Sequence, residues 1–250
     1  MKSGLYKTCS LKWLFFCALA VIVVSCIAVH RHVSAEEQIK QGEDVFNSVE
    51  SIRIRDPLAV MLGATEKGGV FSFSYMDAVK CAGHSCPAVA GAFKSIHLAL
   101  KHLYGEEIPV RGNIRVVFKG GVDFKVNGPI SQIVTLVTGA AAENGFKGLG
   151  AGGKFSRHNL LVFDKDSAPD PKSVCSMTFQ RVDTDKAVEI TYCVSAVPVD
   201  ERVDKLMPLA ISGKASDEEL KQFGNIWQER VKTILLNPPE GTFLVKEIKK

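Results

Sequence analysis

Beyond residue 35 the chain has no excess of charge of either sign. Its 250 residues hold 31 Lys and Arg against 27 Asp and Glu. Four of those bases (Lys2, Lys7, Lys12 and Arg31) and none of the acids precede Glu36, which leaves 27 of each sign in the remainder. The apparent basicity thus belongs to the first 35 residues and is no argument for nucleic-acid binding. Internal repeats and low-complexity tracts are also absent, which excludes a repeat array. No G-x-S-x-G elbow and no H-E-x-x-H pair occurs, so serine hydrolase and zincin readings have no entry point. The run Gly148-Leu149-Gly150-Ala151-Gly152-Gly153-Lys154 nearly spells a phosphate-binding loop. It ends on Phe155, where a Ser or Thr hydroxyl would have to meet magnesium, and a strand pattern follows instead of a helix. It reads as a mobile loop.

What the first 35 residues do contain is a leader. Three lysines precede an apolar run from Trp13 to Val29, and His30-Arg31-His32 closes it. This is the pattern of a secretory signal peptide or a short membrane anchor through residues 13–29. Val33-Ser34-Ala35 offers a small-residue cleavage site, and Val23-Val24-Ser25-Cys26 resembles a lipoprotein box. Each version places the rest of the chain outside the cytoplasm, periplasmic or membrane-anchored facing outward. The division expected is therefore 1–35 as leader, 36–56 as a helical lead-in, and 57–250 as one domain.

Cysteine is sparse, and three of the seven (Cys9, Cys17, Cys26) fall in the leader. Of the other four, Cys81 and Cys86 bracket His84 in Cys81-Ala82-Gly83-His84-Ser85-Cys86-Pro87. Imidazole and thiolate suit zinc and neighbouring transition metals. Three ligands from one short loop are hard to align, so at most two are expected from here, with others from a distance. His158, just before an apolar strand, is the distant candidate. His97 reads as a packed histidine and His102 as an exposed one, while Asp77 and Asp123 are carboxylates within possible reach. In an oxidising compartment the competing reading is two disulfides, Cys81–Cys86 and Cys175–Cys193.

The patterning is α+β in a single mixed domain. Val89, Ala92, Phe93, Ile96, Leu100 and Leu103 recur at helical spacing from Pro87 to Tyr104, and Gly105 ends the run. Cys86 thus lies at a helix N-terminus, where the dipole favours a thiolate. Ser74–Lys80 and Pro129–Thr138 read as helical, and Ile114–Lys119, Leu160–Phe163 and Thr242–Ile248 as strands. Val174–Val182 and Ala187–Val197 read as a β-hairpin. Ser216 with Glu219 spells a capping box opening a helix to about Leu236, where Asn237-Pro238-Pro239 stops it.

Ala82-Gly83-His84-Ser85-Cys86-Pro87 with Gly91, followed by an amphipathic helix, resembles the G-H-x-C-P signature of the FmdE-like family, the E component of formylmethanofuran dehydrogenase and its relatives. The likeness extends over about residues 70–165, through Val137-Thr138-Gly139 and the glycine-rich loop. It implies an α+β domain with a bound metal, often zinc, near His84 and Cys86. The chain departs from the family where a cysteine and an aspartate precede the second helix, and where Cys-Thr follows its Thr-Gly. Here those stretches read Gly128-Pro129-Ile130-Ser131-Gln132 and Thr138-Gly139-Ala140-Ala141. The C-terminal zinc ribbon of some members is also missing.

The reading that follows is an exported zinc or other transition-metal protein, with His84 and Cys86 as ligands and Cys81 and His158 as further candidates. Its partner would be an unidentified small molecule or protein. The alternatives are a disulfide-stabilised extracytoplasmic binding module without metal, and a thiol oxidoreductase with Cys86 as nucleophile and Cys81 as resolver.

Overall fold

In the computed structural model, residues 46–66 and 68–249 are described. The leader, and the lead-in as far as Val45, lie outside the described residues.

The lead-in does not end as a helix. Ile52-Arg53-Ile54-Arg55 alternates apolar and basic residues with a period of two, and it forms strand β1 (Ile52–Arg55), with both isoleucines buried. Asp56 then caps a short helix α1 (Pro57–Met61), and the chain returns as β2 (Val70–Phe73), antiparallel to β1. Ser74 and Asp77 make a reciprocal capping box that starts α2 (Tyr75–Ala82), and Gly83 ends it in the left-handed region at φ 75°.

Pro87 opens the central helix α3 (Pro87–Tyr104), with its fixed φ suited to that first position. The predicted apolar face is the buried one, Phe93 and Ile96 almost completely so. Strand β3 (Ile114–Lys119), helix α4 (Asn127–Thr138) and strand β4 (Leu161–Asp164) follow. Strands β3 and β4 pair in parallel, as a helical crossover requires. The hairpin β5 (Cys175–Arg181) and β6 (Ala187–Tyr192) is present, but its second strand stops at Tyr192, and Val194–Ala196, read as strand, form a short 3-10 turn. A helix the sequence did not announce, α5 (Arg202–Ile211), precedes α6 (Asp217–Leu236). Strand β7 (Phe243–Ile248) ends the described chain.

The architecture is thus mixed α and β, with six α-helices and two sheets among the described residues. The larger sheet has the order β4-β3-β5-β6-β7. Ile114, Val116, Phe118, Met177, Phe179, Val188 and Ile190 turn one face into a core shared with α3, α4 and α6. Arg115, Thr178, Gln180, Glu189 and Leu244 alternate to the other face. Helices α3 and α4 both start where β3 ends and finish where β3 begins. Tyr192, which closes β6, donates its hydroxyl to the Pro87 carbonyl at 2.9 Å, and Arg181 reaches Glu107 just past the C-terminus of α3.

A candidate metal loop at the start of the central helix

The loop from Cys81 to Pro87 joins α2 to α3 at the end of the sheet where β3 and β6 finish. Its backbone is held from three directions. Tyr192 binds the Pro87 carbonyl from the sheet, as above. Tyr75, the first residue of α2, meets the Ser85 hydroxyl at 3.0 Å. From α6, Gln228 accepts the Ser85 hydroxyl at 2.9 Å and donates to the Ser85 carbonyl at 3.2 Å, where Trp227 Nε1 also donates at 3.3 Å. Burial pushes the hydroxyls of Tyr75 and Tyr192 well above the usual tyrosine range. Both therefore stay neutral donors beside Cys86.

Within this frame His84 is exposed, and its Nδ1 lies 3.0 Å from the Ala82 carbonyl. Cys86 is half-buried at the N-cap of α3, and its side chain makes no capping hydrogen bond among the described residues. Cys81 is exposed in the last turn of α2.

His158 is not brought to this loop. It enters β4 from the end of the sheet where β3 begins, because the two strands are parallel. Cys86 sits beyond the opposite end of β3, a six-residue strand that alone spans about 17 Å at ~3.3 Å per residue. Asp77 is used in the α2 capping box, and Asp123 is exposed in the loop after β3. His97 is half-buried with Nε2 3.3 Å from Glu50, and His102 is exposed. Among the described residues no group of three or more His, Cys, Asp or Glu is gathered to hold a metal ion.

The donor chemistry of His84 and Cys86, one imidazole nitrogen and one sulfur, fits zinc. Two donors make an anchor with open positions, whereas a structural zinc site closes with four.

All four cysteines in the described residues are free thiols. Strand register explains the separation of Cys175 from Cys193. Cys175 lies directly opposite Tyr192 and faces the core, so Cys193, one residue on, alternates to the other face. Burial raises the pKa of both thiols, with Asp170 adding to the effect at Cys193. A raised pKa disfavours the reactive thiolate at both positions.

The residues that sequence reasoning missed are Tyr75, Tyr192, Trp227 and Gln228. Their contacts with the loop span 10 to 143 positions of chain, and no local motif carries such a signal. The glycine-rich run closes as a tight turn, with Leu149 and Lys154 exchanging backbone hydrogen bonds of 2.8 and 2.9 Å. Among the described residues no helix is long and apolar enough to cross a membrane. Compared with known proteins, the chain matches no protein-family model and no curated sequence.

Proposed function

We propose that this chain is an extracytoplasmic metal-binding protein whose α+β domain is of the FmdE-like type, with zinc or another transition metal held by His84 and Cys86. One observation carries the reading: the 3.0 Å contact between His84 Nδ1 and the Ala82 carbonyl. A carbonyl can only accept, so in the neutral ring Nδ1 holds the hydrogen and Nε2 the lone pair. Metal-ligating imidazoles are oriented in this way by an outer acceptor. Two residues on, the Cys86 thiol stands without a capping partner among the described residues, at the positive end of α3.

A metal bound here would supply Lewis acidity or an activated water. The chain's own part is to fix one neutral and one anionic donor on a loop gripped from three sides. Further ligands to such an ion would have to come from solvent, a small-molecule substrate or a protein partner. Cys81 is the nearest further donor in sequence. His158, at the other end of the sheet, would need a rearrangement of the fold to join. The export signal or tether through residues 13–29 belongs to the same proposal.

The test is elemental analysis of the full chain purified without added metal, with a count of reactive thiols under denaturing, non-reducing conditions. About one zinc, or a similar metal, per chain is expected, lost in His84→Ala. Absence of metal together with absence of free domain thiols would sink the proposal in favour of a disulfide-stabilised module. A reductase activity that survives His84→Ala would favour thiol chemistry at Cys86.

A further inference from the structure

We infer that helix α6 is coupled to the occupancy of the candidate metal loop: Trp227 and Gln228 grip Ser85, the residue between the two proposed ligands, so that metal binding and the seating of α6 stabilise one another. The inference rests on the His84–Cys86 reading above.

The grip is specific in its proton arrangement. Ser85 has one hydroxyl hydrogen, and it goes to Gln228 Oε1 at 2.9 Å. The Tyr75 hydroxyl, 3.0 Å from the same oxygen, must therefore be the donor in that pair. The Gln228 amide returns a hydrogen to the Ser85 carbonyl at 3.2 Å, closing a two-bond ring with one residue. Trp227 Nε1 uses the second lone pair of that carbonyl. The side chain and carbonyl of Ser85 are thus committed to partners on α2 and α6, while its neighbours on either side carry the donor atoms.

The position of the grip along α6 matters as much as its chemistry. The residues of α6 buried in the body are Val231, Ile234 and Leu235, all C-terminal to Trp227. The turns from Asp217 to Ile226 contain no buried residue, and α5 packs on α6. Trp227 and Gln228 therefore lie just before the fully buried part of the helix, and the turns before them are at most half-buried. Ordering His84 and Cys86 around an ion restricts Ser85, and a restricted Ser85 holds α6. By linkage, seating α6 favours the ion to the same degree. A partner that draws the α5–α6 arm away would release the metal.

The chain carries its own reporter for this coupling. It has two tryptophans, Trp13 and Trp227, so Trp13→Phe leaves Trp227 as the sole fluorophore of its kind in a full-length chain. Zinc is titrated into the apo form of that chain, while affinity is read independently by competition with a chromophoric chelator. The expected result is a saturable change in Trp227 emission that follows chelator-measured binding and is absent in His84→Ala. Gln228→Ala, judged folded by circular dichroism, should bind zinc about tenfold more weakly, the lower end of the cost of losing a direct outer-shell partner, because Gln228 acts through Ser85. Trp227→Phe keeps the ring without the N–H donor and should weaken binding less. Unchanged zinc affinity in Gln228→Ala, with Trp227 emission indifferent to bound zinc, overturns the coupling and leaves the metal site standing. No zinc binding by the parent chain in the chelator assay overturns both.

Discussion

Gly91 sits on the buried side of α3, where a Cβ would lie 2.1 Å from Cε1 of Tyr192. The ring lies across the helix at that point and reaches the Pro87 carbonyl with its hydroxyl. Any side chain at position 91 must displace the ring and with it a support of the Cys86 loop. Gly91→Ala should therefore destabilise the protein, although alanine is the better helix former. Overpacking costs about 1–3 kcal/mol, against a gain of ~1 kcal/mol from the helix itself. A lowered urea midpoint with unchanged m-value is the expected readout. In the double variant with Tyr192→Ala the two costs should be less than additive, since the second change makes room for the first. A Gly91→Ala protein as stable as the parent would show that the ring is not confined as described. The signature glycine is visible in the sequence, but the tyrosine that explains it lies 101 positions later.

Between elements, the equivalent joint is at the other end of the sheet. Asp56 is 3% exposed and caps α1 through the N–H groups of Leu58 and Ala59. Its carboxylate also accepts Arg157 Nη2 at 2.7 and 2.8 Å and Arg111 Nη1 at 3.1 Å. Arg111 in turn donates to the Leu136 and Val137 carbonyls at the end of α4, where the helix dipole is negative. One acid thus fastens α1, the approach to β3, the end of α4 and the approach to β4. Burial pushes the Asp56 carboxyl upward, but the bonds from Arg157, Ala59 N–H and Arg111 outweigh it, and the net pKa lies below the ordinary 3.8. A carboxyl with a depressed folded value stabilises fully above its ordinary value, and that stabilisation is lost as pH falls through the folded one. Asp56→Asn should cost about 3–5 kcal/mol at neutral pH, because two guanidinium groups lose their counter-charge. It should also flatten the fall in stability below pH ~4. Denaturant titrations from neutral to acid pH would decide, and an acid limb equally steep in both proteins would assign it to other carboxylates.

Across the whole molecule, what was legible in the sequence was what local physics encodes. The periodicity of α3, the Ser216–Glu219 box of α6 and the β-branched alternation of the hairpin each reside within about twenty residues, and all are present. The short strand β1 was hidden in a polar stretch that reads as a helix until its period of two is noticed. Helix α5 has an apolar stripe, with Val203 and Leu206 buried, but Pro208 inside it reads as a helix breaker. The candidate site was half legible, since His84 and Cys86 are near neighbours in sequence. The parallel crossover that sends His158 to the far end, and the α6 residues that grip Ser85, depend on topology. The same topology leaves β7 at an edge, and among the described residues nothing pairs with its outer side. Leu244, Val245 and Ile248 are 47, 45 and 37% exposed there. An open edge carrying apolar side chains invites pairing with another chain, and an interposed lysine is a common guard. Lys246 lies between Leu244 and Ile248 on one face of the strand. Lys246→Val would join them into a continuous apolar, β-favouring row. It should shift sedimentation towards larger species at concentrations where the parent chain does not change, while Lys246→Glu, which keeps a charge at the edge, should not. If Lys246→Val sediments like the parent across that range, Lys246 does not guard the edge, and the twist or the neighbouring Glu247 and Lys249 must do so.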